Sequence, residues 1–266
     1  MIKNSFMGID PNKTAVVVLN NNGLRLAYEI KKCLPCSIFL PKKLFVDDSL
    51  FYFNNIKDII PTLFDKYRYI VAIMATGIVV RTIRNFIVSK YSDPAVVVVD
   101  EAAHYVVSIL SGHEGKANRL ACAIASIISA EPVITTASES MKRYIVGLGF
   151  RKNVKKEHLE EALASVCNTA KINLSDIKFL ATIKRKLFCR AFQELIIEKD
   201  LLFRLIDEEL ISQPFYKFDI YSKPSKYLNI PSVSIPAAVL SAKKPRFILK
   251  RAIFSGVVTT VVEDMY

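Results

Sequence analysis

From Thr14 to Thr136, short apolar runs rich in β-branched residues alternate with segments of helical period. That alternation confines the chain to a layered α/β architecture. The runs TAVVVLN (14–20), YRYIVAIMATG (67–77), DPAVVVVDE (93–101) and HYVVSIL (104–110) read as strands. Pro94 opens the third of these, since a residue without an N–H is excluded from the middle of a sheet. The short polar link Asp100–Ala103 predicts a hairpin between the third and fourth. Helices are expected over LRLAYEIKKCL (24–34), from about Ile78 to Val88, and over ANRLACAIASII (117–128). In the last of these, residues 120, 124, 127 and 128 make one stripe, with alanines at 117, 121 and 125, for packing on a sheet. EPVITT (131–136) is a further strand.

The pattern restarts after SESMKR, Ser138–Arg143. YIVGLGF (144–150), IKFLATI (177–183) and LLFRLI (201–206) read as strands. KEHLEEALASVC (156–167), CRAFQELIIEKD (189–200) and PAAVLSA (236–242) read as helices, and RFILKRAIFSGVVTTVV (246–262) closes the chain with one or two strands. Two layered α/β domains follow, 1–140 and 141–266.

The net charge of +12 is uneven: residues 1–140 hold 15 Lys+Arg and 12 Asp+Glu, residues 141–266 hold 22 and 13. A basic second half suits a polyanionic partner, whether nucleic acid, an acidic membrane surface or a small polycarboxylate; it is equally what a lysine-rich surface without a ligand shows. The start MIKNSFMGID has no apolar leader, and runs such as YIVAIMATGIVV are too short and interrupted to span a bilayer. A soluble cytoplasmic protein is therefore expected. Cys33 and Cys36 form a C-x-x-C, but near the end of a helix and before a strand. A redox pair needs its first thiol at a helix start, so these read as ordinary semi-buried thiols. No Cys/His cluster has zinc spacing, and no metal is expected.

Two of the eight glycines stand beside one of the three histidines in SGHEG, Ser111–Gly115, between a strand and a helix. Such a junction presents backbone N–H groups to an anion, and Ser111, His113 and Asn118 add donors. A Walker A loop is excluded: Gly112 and Gly115 are too close together, and Ala117 follows Lys116 where a hydroxyl is needed. H-E-x-x-H and G-x-S-x-G are absent as well. His113 is a candidate general base or acid, or a loop residue that only caps the helix. Other polar groups stand at strand ends: Thr76, Gly77 and Arg81; Asp100 and Glu101; Thr135 and Thr136. Parallel strands bring such ends together. A hairpin would instead put Glu101 and the His113 loop at opposite ends, which leaves Glu101 either a second catalytic carboxylate or a solvated turn residue.

The segments MATGIVVR (74–81), DPAVVVVDE (93–101), LSGHEGKANRLACAIA (110–125) and PVITTAS (132–138) resemble, in order, the N-terminal region of the CbiG family, with that region beginning at about residue 55. VGLGFRKN (146–153), IKFLATI (177–183), EEL (208–210) and PSVSIPAAVL (231–240) resemble its C-terminal domain. Five positions depart from the family pattern. Lys116 stands at a glycine, Phe150 at a cysteine, Lys184 at an acidic residue, and Ile235-Pro236 at a glutamate and alanine. The family's middle segment is nearly absent.

The family comprises cobalt-precorrin-5A hydrolases of anaerobic cobalamin biosynthesis. The resemblance implies opening of the ring A δ-lactone of a cobalt corrinoid, loss of a two-carbon unit as acetaldehyde, and cobalt-precorrin-5B as product. On this reading His113 activates water, Glu101 is the alternative catalytic group, and the Ser111–Gly115 amides stabilise the oxyanion. Thr76, Gly77, Arg81, Ser111, Gly112, Gly115, Asn118, Thr135, Thr136, Arg151 and Lys152 bind the polycarboxylate substrate. Cobalt arrives with that substrate and no cofactor of the protein's own is implied. Partners are the corrinoid and other cobalamin-pathway enzymes, with no nucleic acid and no membrane. The alternative is a non-catalytic corrinoid-binding or scaffold protein of the same pathway.

Overall fold

The structure, a computed structural model, describes residues 5–212 and 232–265. Pro231, first residue of the PSVSIPAAVL stretch, lies outside them. The chain divides into two compact units, Met1–Thr136 and Ala137–Tyr266. Both are mixed sheets with helices, the α/β class expected.

The first unit runs β1 (Thr14–Val18), α1 (Asn21–Cys33), β2 (Ser37–Pro41), β3 (Phe51–Phe53), α2 (Ile56–Lys66), β4 (Tyr69–Ile73), α3 (Thr76–Ile83), β5 (Ala95–Val99), β6 (Tyr105–Leu110), α4 (Ala117–Ile128) and β7 (Glu131–Val133). Its sheet has the order β3-β2-β1-β4-β5-β6-β7. Every residue of β1, β4 and β5 is buried, as strands covered on both faces must be. The first five strands in that order are parallel; β6 pairs antiparallel with β5, and β7 runs parallel to β6. The expected hairpin is therefore present. The Tyr105 N–H donates to the Asp100 carboxylate at 2.6 Å, the Ala103 N–H to the Asp100 carbonyl at 2.9 Å, and Ala103 takes a left-handed φ of 59°.

Two helices differ from the sequence expectation. α3 ends at Ile83 rather than near Val88. The buried Asp93 carboxylate takes the N–H groups of Val88 and Ser89 at 3.0–3.2 Å, which holds that segment as a loop. In α4 the stripe expands to burial of every residue from Ala117 to Ile127. The helix is packed against β5, β6 and β7 and also against α1, and its alanines make the close approach possible. At the C-x-x-C, burial pushes the Cys36 thiol up to about 12. That thiol is no redox nucleophile.

The second unit contains α5 (Ala137–Ser140), β8 (Tyr144–Gly149), α6 (Lys156–Ala170), β9 (Ile177–Ile183), α7 (Arg190–Glu198), β10 (Phe203–Ile206), α8 (Glu208–Ile211), α9 (Ser234–Leu240), β11 (Pro245–Phe254) and β12 (Val257–Asp264). The sheet order is β10-β9-β8-β12-β11, with β8, β9 and β10 parallel and β12 antiparallel to both its neighbours. α9 lies directly on β8: a Cβ on Gly147 would sit 1.9 Å from the Ser234 carbonyl oxygen. Only glycine admits that approach.

One ion pair ties the end of β12 to the rest of the sheet. Asp264 is 1% exposed and accepts from Lys178 Nζ at 2.8 Å and from the N–H groups of Lys243 and Lys244 at 2.8 and 3.0 Å. Burial alone would raise its pKa. The Lys178 hydrogen bond and charge, with the two N–H groups, outweigh it and hold the carboxyl below its ordinary value. A depressed folded-state value means that the contribution is fully present above the unfolded value near 3.9 and fades as pH falls through the folded one. Asp264→Asn is expected to lower unfolding free energy by about 2–4 kcal/mol, since it removes the charge of a buried carboxylate paired with Lys178 and hydrogen-bonded to two backbone N–H groups. Denaturant titrations should show that gap closing in acid, because protonation removes the same interaction from the parent.

Candidate functional site

The glycine loop leaves β6 and enters α4. Its path is set by close contact. Ser111 and Lys116 take left-handed φ values of 54° and 71°, whereas neither Gly112 nor Gly115 has a positive φ. The glycines answer a different need. A Cβ on Gly112 would lie 2.7 Å from Thr136 Cγ2 and 2.9 Å from Asn118 Oδ1; one on Gly115 would lie 2.4 Å from Ser111 Cβ. The loop is folded tightly on itself and on the tail of β7.

Asn118 holds it there. This residue is 3% exposed. Its Oδ1 accepts from Ser108 Oγ at 2.8 Å, its Nδ2 donates to Thr136 Oγ1 at 2.9 Å, and its backbone N–H donates to the Gly112 carbonyl at 2.9 Å. The amide therefore ties together β6, the loop and the chain leaving β7, and both its ends are engaged within the protein. Ser111 is likewise buried and donates to the Asp93 carbonyl at 3.1 Å. Of the predicted loop residues, His113 is exposed at the tip, and Thr135 is exposed close by in sequence to the pinned Thr136. No hydrogen bond or ion pair to the His113 imidazole occurs among the described residues. Glu114, next to it, is 3.6 Å from Lys90.

The remaining predicted residues of this unit stand at the other end of the sheet. β5 and β6 pair Val99 with Val106 and Val96 with Leu110. Glu101, past one end of β5, is thus separated from Ser111 by about five strand residues, roughly 16 Å. β4 is parallel to β5 with Ile73 beside Val99, so Thr76, Gly77 and Arg81 share the Glu101 edge. There the Arg81 guanidinium folds back to within 3.4 Å of where a Gly77 Cβ would lie, at the start of α3. Asp100, on the same edge, is raised by burial but held below its ordinary value by the Tyr105 and His104 N–H groups and the His104 imidazole at 3.2 Å. The structure brings Ser111, Gly112, His113, Gly115, Asn118, Thr135 and Thr136 together, and it places Thr76, Gly77, Arg81 and Glu101 apart from them. Arg151 and Lys152 belong to the second unit, beside an open cleft after β8. Among the described residues no group of three or more His, Cys, Asp or Glu side chains is arranged to hold a metal ion.

The sequence signal for Asn118 as a pin was its place on the second helical residue after a glycine loop, opposite Ser108; what it could not show was the partner Thr136. Gly112→Ala and Gly115→Ala should each cost about 1–3 kcal/mol, the usual range for overpacking. Asn118→Ala should cost about as much by leaving buried polar groups unsatisfied. Lys116→Gly should behave oppositely and raise stability by up to about 1 kcal/mol, since glycine takes the left-handed conformation without strain. Chemical denaturation of the four variants measures the contrast.

A family profile described as Cobalamin synthesis G N-terminal matches residues 58–139, and one described as Cobalamin synthesis G C-terminus matches 144–262. A cobalt-precorrin-5A hydrolase of Salmonella typhimurium (strain LT2) is 34% identical over 159 residues, which is 59% of this chain and 45% of that protein. The protein of the same name from Priestia megaterium is 33% identical over 169 residues, with the same shares. The chain thus spans a little under half the length of these curated relatives. A solved structure described as a cobalamin biosynthesis protein G homologue from Sulfolobus solfataricus aligns over 99% of both chains, at 18% identity and a TM-score of 0.39. Two profiles of one family, one on each unit and in the family's order, place the chain in the cobalamin synthesis G family.

Proposed function

We propose that this protein opens the ring A δ-lactone of cobalt-precorrin-5A and releases acetaldehyde, giving cobalt-precorrin-5B. The observation that carries the reading is the agreement of both units with the cobalamin synthesis G family, together with a rigidly pinned loop that exposes His113. In this proposal His113 takes a proton from water as its oxygen adds to the lactone carbonyl, and returns a proton to the departing ring oxygen. The Asn118 pin fixes the backbone of the loop that carries His113, and a fixed backbone narrows the positions open to a general base. Cobalt enters as part of the substrate. Other enzymes of the pathway and a cytoplasmic setting belong to the same reading. No described helix is long and apolar enough to cross a membrane.

A second reading is favoured by two observations. His113 has no orienting side chain among the described residues, and general bases are usually held by a third group. Phe150, at the family's cysteine, is taken up in packing, 5.9 Å from the Phe192 ring and 4.9 Å below Lys186 Nζ. A protein that binds the corrinoid without turning it over would look like this.

The two readings separate on incubation of the purified protein with cobalt-precorrin-5A and measurement of acetaldehyde. His113→Ala is expected to keep its fold and to bind substrate, with release reduced roughly a hundredfold. Glu101→Gln, at the opposite sheet end, should lose far less. Normal turnover by His113→Ala with a dead Glu101→Gln would transfer the role to the carboxylate.

A further inference from the structure

The second unit contains a cleft that is complete within itself. It is an open space of about 730 Å³ lined by Arg151, Lys152, Asn153, Val154, His158 and the Ser255–Gly256 turn. Its construction follows from the sheet. β12 pairs antiparallel with β8, with Val258 beside Gly149, so the turn that starts β12 lies next to the chain leaving β8. That turn closes the β11–β12 hairpin, where Phe254 pairs with Val257. Its two residues take φ values of 47° and 78°, as two-residue turns matched to strand twist do. Space around a Gly256 Cβ is open to 4 Å, so the floor of the cleft is bare backbone. His158, in the first turn of α6, forms the remaining wall.

The charges of this unit are distributed in a telling way. Lys156 and Lys199 share Glu160 and Glu198. Lys178 is held by Asp264, and Arg246 by Glu263. Arg151 and Lys152 are exposed and have no carboxylate partner among the described residues. On the turn side of the cleft, the Glu161 carboxylate accepts from the Ser255 hydroxyl at 2.6 Å. Two adjacent cations thus stand on a concave surface without a salt-bridge partner among the described residues, with an imidazole and an amide beside them. A planar guanidinium engages a carboxylate through two parallel hydrogen bonds, and an ammonium takes a second as a point charge.

We propose that this cleft binds a small molecule through two or more of its carboxylates, with Arg151 and Lys152 as the charged contacts and Asn153 and His158 as hydrogen-bonding ones. The proposal leans on the corrinoid reading only for the natural ligand's identity. The binding itself is testable without it, so a failure of acetaldehyde release and a failure of this site are separate results. The probe is 1,2,3,4-butanetetracarboxylate, titrated calorimetrically into the full-length protein at fixed ionic strength, with acetate for comparison. The tetracarboxylate should bind at least tenfold more tightly than acetate, and added salt should weaken it. Arg151→Ala/Lys152→Ala should weaken it at least tenfold more, with circular dichroism unchanged, because both side chains are exposed. Lys171→Ala, at the far end of α6, removes a charge about 22 Å away and should leave the affinity as it was. Equal affinity in the double variant, or an equal loss in Lys171→Ala, would show general attraction to a basic surface and overturn the site.

Discussion

The hairpin between β5 and β6 reverses the chain inside a sheet whose other neighbours run parallel. All further placement in the first unit depends on that reversal. Strands before it deliver their loops to one edge, where Thr76, Arg81 and Glu101 gather. Strands after it deliver theirs to the other, where His113 and Thr136 meet. The reversal is held by the Asp100 carboxylate, which takes the Tyr105 N–H and faces His104. A carboxylate in that position does for the turn what an N-cap does for a helix: it satisfies a donor that the ladder cannot reach.

At the His113 edge, the organising group is a buried amide. The side-chain amide of Asn118 accepts from one hydroxyl, Ser108, and donates to another, Thr136, while the residue's backbone N–H donates to the Gly112 carbonyl, so three segments meet at one residue. Leaving any of these groups dry and unpaired is costly, so the loop has one low-energy path. The glycines follow from that path, because Gly112 and Gly115 are where side-chain volume would collide with it. Lys116, like Ser111, sits in a left-handed backbone conformation that glycine would accept more easily. The fold tolerates lysine there because the surrounding contacts over-determine the loop.

Much of this architecture was legible in the sequence. Val96–Val99 has no polar residue to expose and so reads as a buried strand, and the polar link after it reads as a turn. What escaped was local contradiction. α2 carries Pro61 inside it, which removes a hydrogen bond and argues against a helix, yet Asn55 caps it and Ile60 and Leu63 bury its face. β3 is three residues long, too short for a period to show. The sequence suggests a longer α3 because the side chains of Ile87 and Val88 continue an apolar pattern, while the Asp93 carboxylate claims the N–H groups of Val88 and Ser89. At the site, residue types announced polarity but not direction. Asn118 faces inward to Ser108 and Thr136 and His113 outward, and the Asn118 direction depends on partners 10 and 18 residues away.

The end of β8 shows how a departure from the family pattern is absorbed. Phe150 packs on Phe192, and Phe192 meets Phe203 edge-on. The aromatic ring thereby joins the packing of α7 and β10. Lys186 lies over that ring, and burial, the leading cause, brings its pKa down; nearby Arg185 and Lys152 push the same way, against Cys189 and Glu208. A ring face accepts an ammonium that has lost part of its hydration. The position thus supplies packing, and the lysine over it supplies positive potential. The same potential extends to Lys152 and Arg151, whose side chains form no salt bridge among the described residues. The chain leaving β8 thus combines an aromatic ring taken up in packing with a run of exposed positive charge, so the residue that departs from the family pattern contributes to the order of this edge and its neighbours contribute to its potential.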